Sequence, residues 1–81
     1  MKIKVIILGS TRKFTDEDEF FIELDSMSTV NDVVQKIVEL KPNVHKVMKY
    51  LSVSVNNTLV ARNHQISDND EIAFFSRPGG G

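Results

Sequence analysis

Leu51-Ser52-Val53-Ser54-Val55-Asn56-Asn57-Thr58-Leu59-Val60-Ala61 is the stretch on which the fold turns. Leucine and valines alternate with serines at a period of two, the pattern of a strand with one buried and one wet face. Val53 and Val55 are expected to point inward, with Ser52 and Ser54 outward. Asn56-Asn57 supplies two residues that tolerate positive φ, which predicts a tight hairpin turn. A short strand follows at 58–61, with Leu59 directed outward beyond the turn.

Downstream, Ser67-Asp68-Asn69-Asp70 is a second turn signal, with Asp70 expected to bond its local backbone. Glu71-Ile72-Ala73-Phe74-Phe75 then reads as the last strand. Ile72 and Phe74 fit a core, which leaves Phe75 on the outer face. Ser76-Arg77-Pro78-Gly79-Gly80-Gly81 closes the chain with nothing to pack. Upstream lies the clearest helix. Val30, Val33, Val34, Ile37 and Leu40 line one helical face. Ser28 or Thr29 serves as N-cap, with Asp32 three residues after Thr29 as a capping-box variant. Pro42 limits the helix, because a residue before proline avoids the helical region. Val44, Val47, Met48 and Leu51 repeat the spacing and predict a short second helical turn over 43–49.

At the N-terminus, residues 2–8 are β-branched and aliphatic up to the turn signal Gly9-Ser10, a first strand. Ile3, Val5 and Ile7 point one way; Lys2, Lys4, Ile6 and Leu8 point the other. The lysines belong in water, so Ile6 and Leu8 are expected to be exposed. Thr15-Asp16-Glu17-Asp18-Glu19 reads as a charged, solvated turn. Phe20-Phe21-Ile22-Glu23-Leu24 is a second strand, with Phe20, Ile22 and Leu24 on one face, pairing with the first as an antiparallel hairpin.

The order is strand, strand, helix, short helix, strand, strand, strand. Strands too few for a sandwich, with one amphipathic helix, must bury a single sheet face against that helix. The fold class expected is therefore α+β, a β-grasp (ubiquitin-like) arrangement. It has a mixed sheet of four or five strands packed on one main helix, and a flexible C-terminal glycine tail. The globular domain spans 1–76 and the extended tail 77–81.

Eighty-one residues make one domain, and a chain this short buries roughly 60% of its unfolded surface. The formal net charge of −1, from 10 basic and 11 acidic residues, gives no electrostatic reason to expect nucleic acid or an anionic membrane as partner. There is no cysteine, hence no disulfide, thiolate metal site or thiol nucleophile. The apolar run after Met1 is too short for a signal peptide, and nothing approaches the ~20 apolar residues of a membrane span. A soluble, cytoplasmic protein is the expectation. His45 and His64 have no accompanying ligand cluster, so no metal site is expected. Asp68, Asp70 and Glu71 lack the spacing and distal glutamate of a calcium loop. No phosphate loop, catalytic triad or opposed carboxylate pair is present.

The tail is the part that carries chemistry. Glycine has no Cβ, so Gly79, Gly80 and Gly81 can thread a channel too narrow for any side chain. Pro78 removes a ladder donor and pushes Arg77 toward an extended shape, which lifts the tail off the sheet. Those properties suit an end that a partner must enclose in order to modify the carboxylate of Gly81. The bland alternative is a loose terminus. The outer-face residues Leu8, Leu59 and Phe75 form a candidate apolar docking patch beside it, and Arg77 a candidate contact to an acidic groove in the partner.

Val55-Asn56-Asn57-Thr58-Leu59-Val60, then Asp68-Asn69-Asp70-Glu71-Ile72-Ala73-Phe74-Phe75, then Gly80-Gly81 resemble the small subunit of molybdopterin synthase, in the MoaD/ThiS group of sulfur carriers. The match is dense over about the last 27 residues and topological over the first 50. The resemblance implies that Gly81 is adenylated by an ATP-dependent, E1-like activating enzyme. A sulfur donor system then converts the adenylate to a thiocarboxylate. It also implies that the large synthase subunit receives that sulfur for the molybdenum cofactor, and that partners dock on the apolar outer face. The chain would be a co-substrate with no cofactor of its own rather than an enzyme. Ser76-Arg77-Pro78-Gly79 departs from the Pro-Pro approach common in that branch. Carriers for tRNA thiolation or thiamine synthesis, lysine-attached modifiers and plain interaction modules therefore stay open.

Overall fold

The computed structural model describes residues 1–8 and 19–76. Among them, the chain forms β1 (Lys2–Ile7), β2 (Glu19–Glu23), α1 (Val30–Leu40), a 3-10 turn (Pro42–Val44), α2 (His45–Met48), β3 (Ser52–Val55), β4 (Thr58–Val60) and β5 (Glu71–Phe75). The five strands make one mixed sheet in the order β2-β1-β5-β3-β4. β1 runs antiparallel to β2 and parallel to β5, while β3 runs antiparallel to both β4 and β5. Strands from the two ends of the chain thus lie side by side in the middle, with the helices over one face. This is the β-grasp arrangement.

The buried face is the alternation read from the sequence. Ile3, Val5 and Ile7 of β1, Ile72 and Phe74 of β5, and Val53 and Val55 of β3 pack against Val30, Val33 and Ile37 of α1. Val44, Met48, Leu51 and Ile66 close the ends of this core. Leu40, expected on the apolar face of α1, is instead 55% exposed. It is the last residue of the helix.

Thr29 starts α1. Its backbone N–H donates to the Asp32 carboxylate at 2.7 Å and its hydroxyl to the same oxygen at 3.2 Å. The next two N–H groups, which no helical carbonyl can satisfy, are taken by the loop after β4: Val30 N–H by His64 C=O at 3.0 Å and Asn31 N–H by Arg62 C=O at 2.9 Å. The helix ends at Leu40 ahead of Pro42, as the pre-proline restriction requires.

The Asn56-Asn57 hairpin turn carries φ of 51° and 71°. Asn56 also ties that turn to β5: its side-chain amide donates to Asp70 Oδ1 at 2.9 Å and its amide oxygen accepts Glu71 N–H at 3.0 Å. Asp70 Oδ2 accepts Ser67 N–H at 2.7 Å, the local bond expected of it. Glu19, read as part of a charged turn, is the first residue of β2, opposite Ile6. Its charge stays in water on a strand whose alternation allows it. The Gly9-Ser10 turn and residues 15–18 lie outside the described residues.

Candidate functional site

The outer sheet face is the side turned away from the helices. Register places Glu19, Ile6, Ala73, Ser54 and Leu59 in one row across all five strands. On one side of that row the face is charged. Lys4 Nζ lies 3.2 Å from Glu19 and 3.6 Å from Glu71. The hydrogen bond and charge of Glu19, with Glu71 adding to them, hold the Lys4 ammonium above the usual lysine range. On the other side, toward the end of β5, the face is apolar.

Leu8 and Phe75 occupy that apolar end. The Leu8 N–H donates to Phe74 C=O at 3.0 Å, continuing the Ile7↔Phe74 pairing. Leu8 therefore stands beside Phe75, directly before the tail. Leu8 is 46% exposed, whereas Phe75 and Ile6 are half-buried. The expectation that Ile6 lies open is corrected: β1 and β5 are interior strands, flanked on both sides, and neighbouring side chains cover part of each residue. Leu59 is 55% exposed because β4 is an edge strand. It sits opposite Ser54, two strands from β5, or about 10 Å at the usual strand spacing. The structure thus brings Leu8 and Phe75 together and leaves Leu59 as an outlier across the half-buried serines Ser52 and Ser54.

Phe21 is a member of this face that was not singled out. It pairs with Lys4, is 57% exposed and lies under Lys2 Nζ at 4.7 Å from its ring. The alternation that sent Phe20 and Ile22 inward carried the signal. Arg77, Gly79, Gly80 and Gly81 lie outside the described residues, whose last member, Ser76, follows Phe75 directly. His45 on α2 and His64 after β4 are both exposed and on separate elements. Among the described residues, no group of His, Asp and Glu is gathered to hold a metal ion, and no helix is long and apolar enough to cross a membrane.

A mixed β-grasp sheet with one face on the helices and an apolar strip at Leu8 and Phe75 on the other defines a class of small ubiquitin-like domains. The sequence model of the ThiS family matches residues 5–81, and the chain belongs to that family. This bears out the resemblance to the MoaD/ThiS group. Comparison with curated proteins by sequence gives no match. Among solved structures, SAMP1 from Haloferax volcanii superposes with a TM-score of 0.89 at 17% identity, covering 100% of both chains. The complex of subunits 1 and 2 of the molybdopterin-converting factor from Helicobacter pylori includes a chain matching with a TM-score of 0.70 at 21% identity, again over 100% of both. Urm1 from Trypanosoma brucei matches at 0.69 and 19% identity, over 99% of this chain and 95% of its own. At these identities the likeness is one of fold.

Proposed function

We propose that the chain is a sulfur carrier acting through the carboxylate of Gly81, and that it serves as the small subunit of molybdopterin synthase. The observation that carries this reading is the family match, which runs through the glycine tail to residue 81. In sequence the tail begins two residues after Phe75, which stands beside Leu8.

The chemistry assigned to Gly81 is an acyl activation. A free carboxylate is a poor electrophile. One of its oxygens attacks the α-phosphorus of ATP on an E1-like activating enzyme, pyrophosphate leaves, and an acyl adenylate forms. Hydrosulfide, supplied at the sulfide level by the donor system, then attacks the acyl carbon, AMP departs with the bonding pair, and loss of the sulfur proton leaves the terminus as a thiocarboxylate. This chain supplies no side-chain catalyst to either step. Its contribution is to present an end without side chains at Gly79 and Gly80, and a docking strip at Leu8 and Phe75, with Leu59 and Arg77 as outlying contacts. The large synthase subunit would receive the tail next. Support for that choice is the motif resemblance over Val55–Val60 and Asp68–Phe75, together with the shared fold of the subunit complex from Helicobacter pylori.

A second reading is favoured by the close superposition on SAMP1, a small archaeal modifier protein: the same adenylate captured by a lysine amine instead of sulfur. The intact mass of the protein from its native host separates the two. The carrier reading expects a species heavier by the difference between sulfur and oxygen, formed with the activating enzyme, ATP and a sulfur donor and abolished by deletion of Gly81. Gly81 joined to lysine through an isopeptide bond would instead establish the modifier. An unchanged mass under all conditions would leave only a binding module.

A further inference from the structure

Charge is segregated along this chain in a way its net value conceals. Residues 41–67 contain four of the ten basic residues, both histidines and none of the eleven acidic ones. The fold gathers much of that segment at one place, a groove of about 670 Å³ on the helix layer. Val34 and Val38 of α1 and Met48 of α2 supply apolar side chains, while Lys46, Lys49 and Arg62, with His45 beside them, supply the charge of its lining among the described residues.

Two of the cations there have contacts that place them. Arg62 Nη2 donates to the carbonyls of Met48 and Leu51, the latter at 2.8 Å, which fixes its charge at the groove wall. Lys49 Nζ lies 5.1 Å from the ring centre of Tyr50, and that ring is 64% exposed at the groove edge. Among the described residues none of these cations is salt-bridged; the carboxylates that do pair there, Glu19 and Glu71, go to Lys4. The groove also lies near the end of β5. The antiparallel pairing of Ser52 with Phe75 sets Phe75, at the end of β5, against the start of β3, two residues after Tyr50. The five residues beyond Ser76 span at most about 17 Å when extended. A protein that encloses Gly81 must therefore approach this groove closely.

From this placement we infer that the α1–α2 groove is a second docking surface, which takes an acidic, apolar-anchored segment of the activating enzyme. It rests on the carrier reading for the identity of that partner. The sheet strip and the groove lie on opposite layers, so the enzyme would hold the domain from both faces. Apolar floor, exposed tyrosine and a basic rim together suit a protein segment. Three cations and a histidine around an apolar floor make a poor track for a nucleic-acid backbone.

The test is a titration of the activating enzyme with the full chain, alongside Lys46→Glu/Lys49→Glu and Tyr50→Ala. All three side chains are exposed, and circular dichroism confirms that each variant is folded. The charge reversals are expected to weaken binding by about tenfold and to remove most of the salt dependence seen with the native chain. Tyr50→Ala is expected to weaken it at all salt concentrations. Native-like affinity and salt dependence in the double variant would sink the groove proposal while leaving the carrier reading intact. No binding by the native chain, with no adenylate formed, would overturn both. Unchanged enzyme binding, with loss of affinity for a single-stranded RNA oligomer or of self-association in sedimentation, would reassign the groove to nucleic acid or to a second copy.

Discussion

Asn56, Asn57, Asn69 and Met27 all hold positive φ, yet they are not equivalent residues. Asparagine enters the left-handed region at little cost because its short amide satisfies nearby backbone. The Asn56 amide is engaged as well, accepting the Glu71 N–H at the start of β5 and donating to the Asp70 carboxylate. Methionine has no such compensation. Met27 sits at φ 70° in the turn before α1 and is 78% exposed, so no buried packing is gained in return. Met27→Gly should therefore raise stability by about 1 kcal/mol, read as a higher urea midpoint at an unchanged slope. A β-branched residue at Asn57, such as Asn57→Val, should lower it by about 1–2 kcal/mol in the same measurement. The asparagine turns were legible in the sequence because the residue type announces the backbone. The Met27 turn was not, since nothing in a methionine signals positive φ.

At the scale of elements, the loop between β4 and β5 does more than connect. Its carbonyls at Arg62 and His64 receive the first N–H groups of α1, and the Arg62 guanidinium donates to the carbonyls of Met48, at the end of α2, and of Leu51. One residue thus fastens the start of one helix and the end of the other. Removing the guanidinium leaves part-buried carbonyls without their donor. Arg62→Met, which keeps the apolar stem, should cost about 1–3 kcal/mol. Hydrogen exchange should rise first at residues 45–51 and only later in the sheet. The periodicity of α1 and the stop before Pro42 could be read from spacing. The clamp could not, because Arg62 and Met48 are joined by a contact across the fold rather than by a local pattern.

Seen as a whole, the molecule has two faces with opposite duties, and adjacent phenylalanines sample both. Phe74 is fully buried between sheet and helix, whereas Phe75 is half-buried on the outer strip. Phe74→Ala should cost about 3–5 kcal/mol, enough to unfold much of a domain this small at ambient temperature. Phe75→Ala should cost about 1 kcal/mol and, on the carrier reading proposed above, weaken the complex with the large synthase subunit instead. Calorimetric titration alongside thermal melts separates the two outcomes. Native affinity in Phe75→Ala would remove the strip from the docking surface.

Which residues face inward was settled by the sequence itself, because alternation of period two and spacing of period 3.6 are local consequences of backbone geometry. So was the turn chemistry at Asn56-Asn57 and Asp70, and so was the family signature along the last strands and the glycine tail. Pairing across the sheet was not local. β1 beside β5, Leu8 beside Phe75, Leu59 set apart by two serines, and Ile6 half-covered between Glu19 and Ala73 all depend on strand order. The same holds for the basic groove, whose members are scattered from Val34 to Arg62. Only the tertiary structure decides such neighbours, because side chains distant in sequence meet where burying one sheet face against α1 brings them, and no short-range rule encodes that meeting.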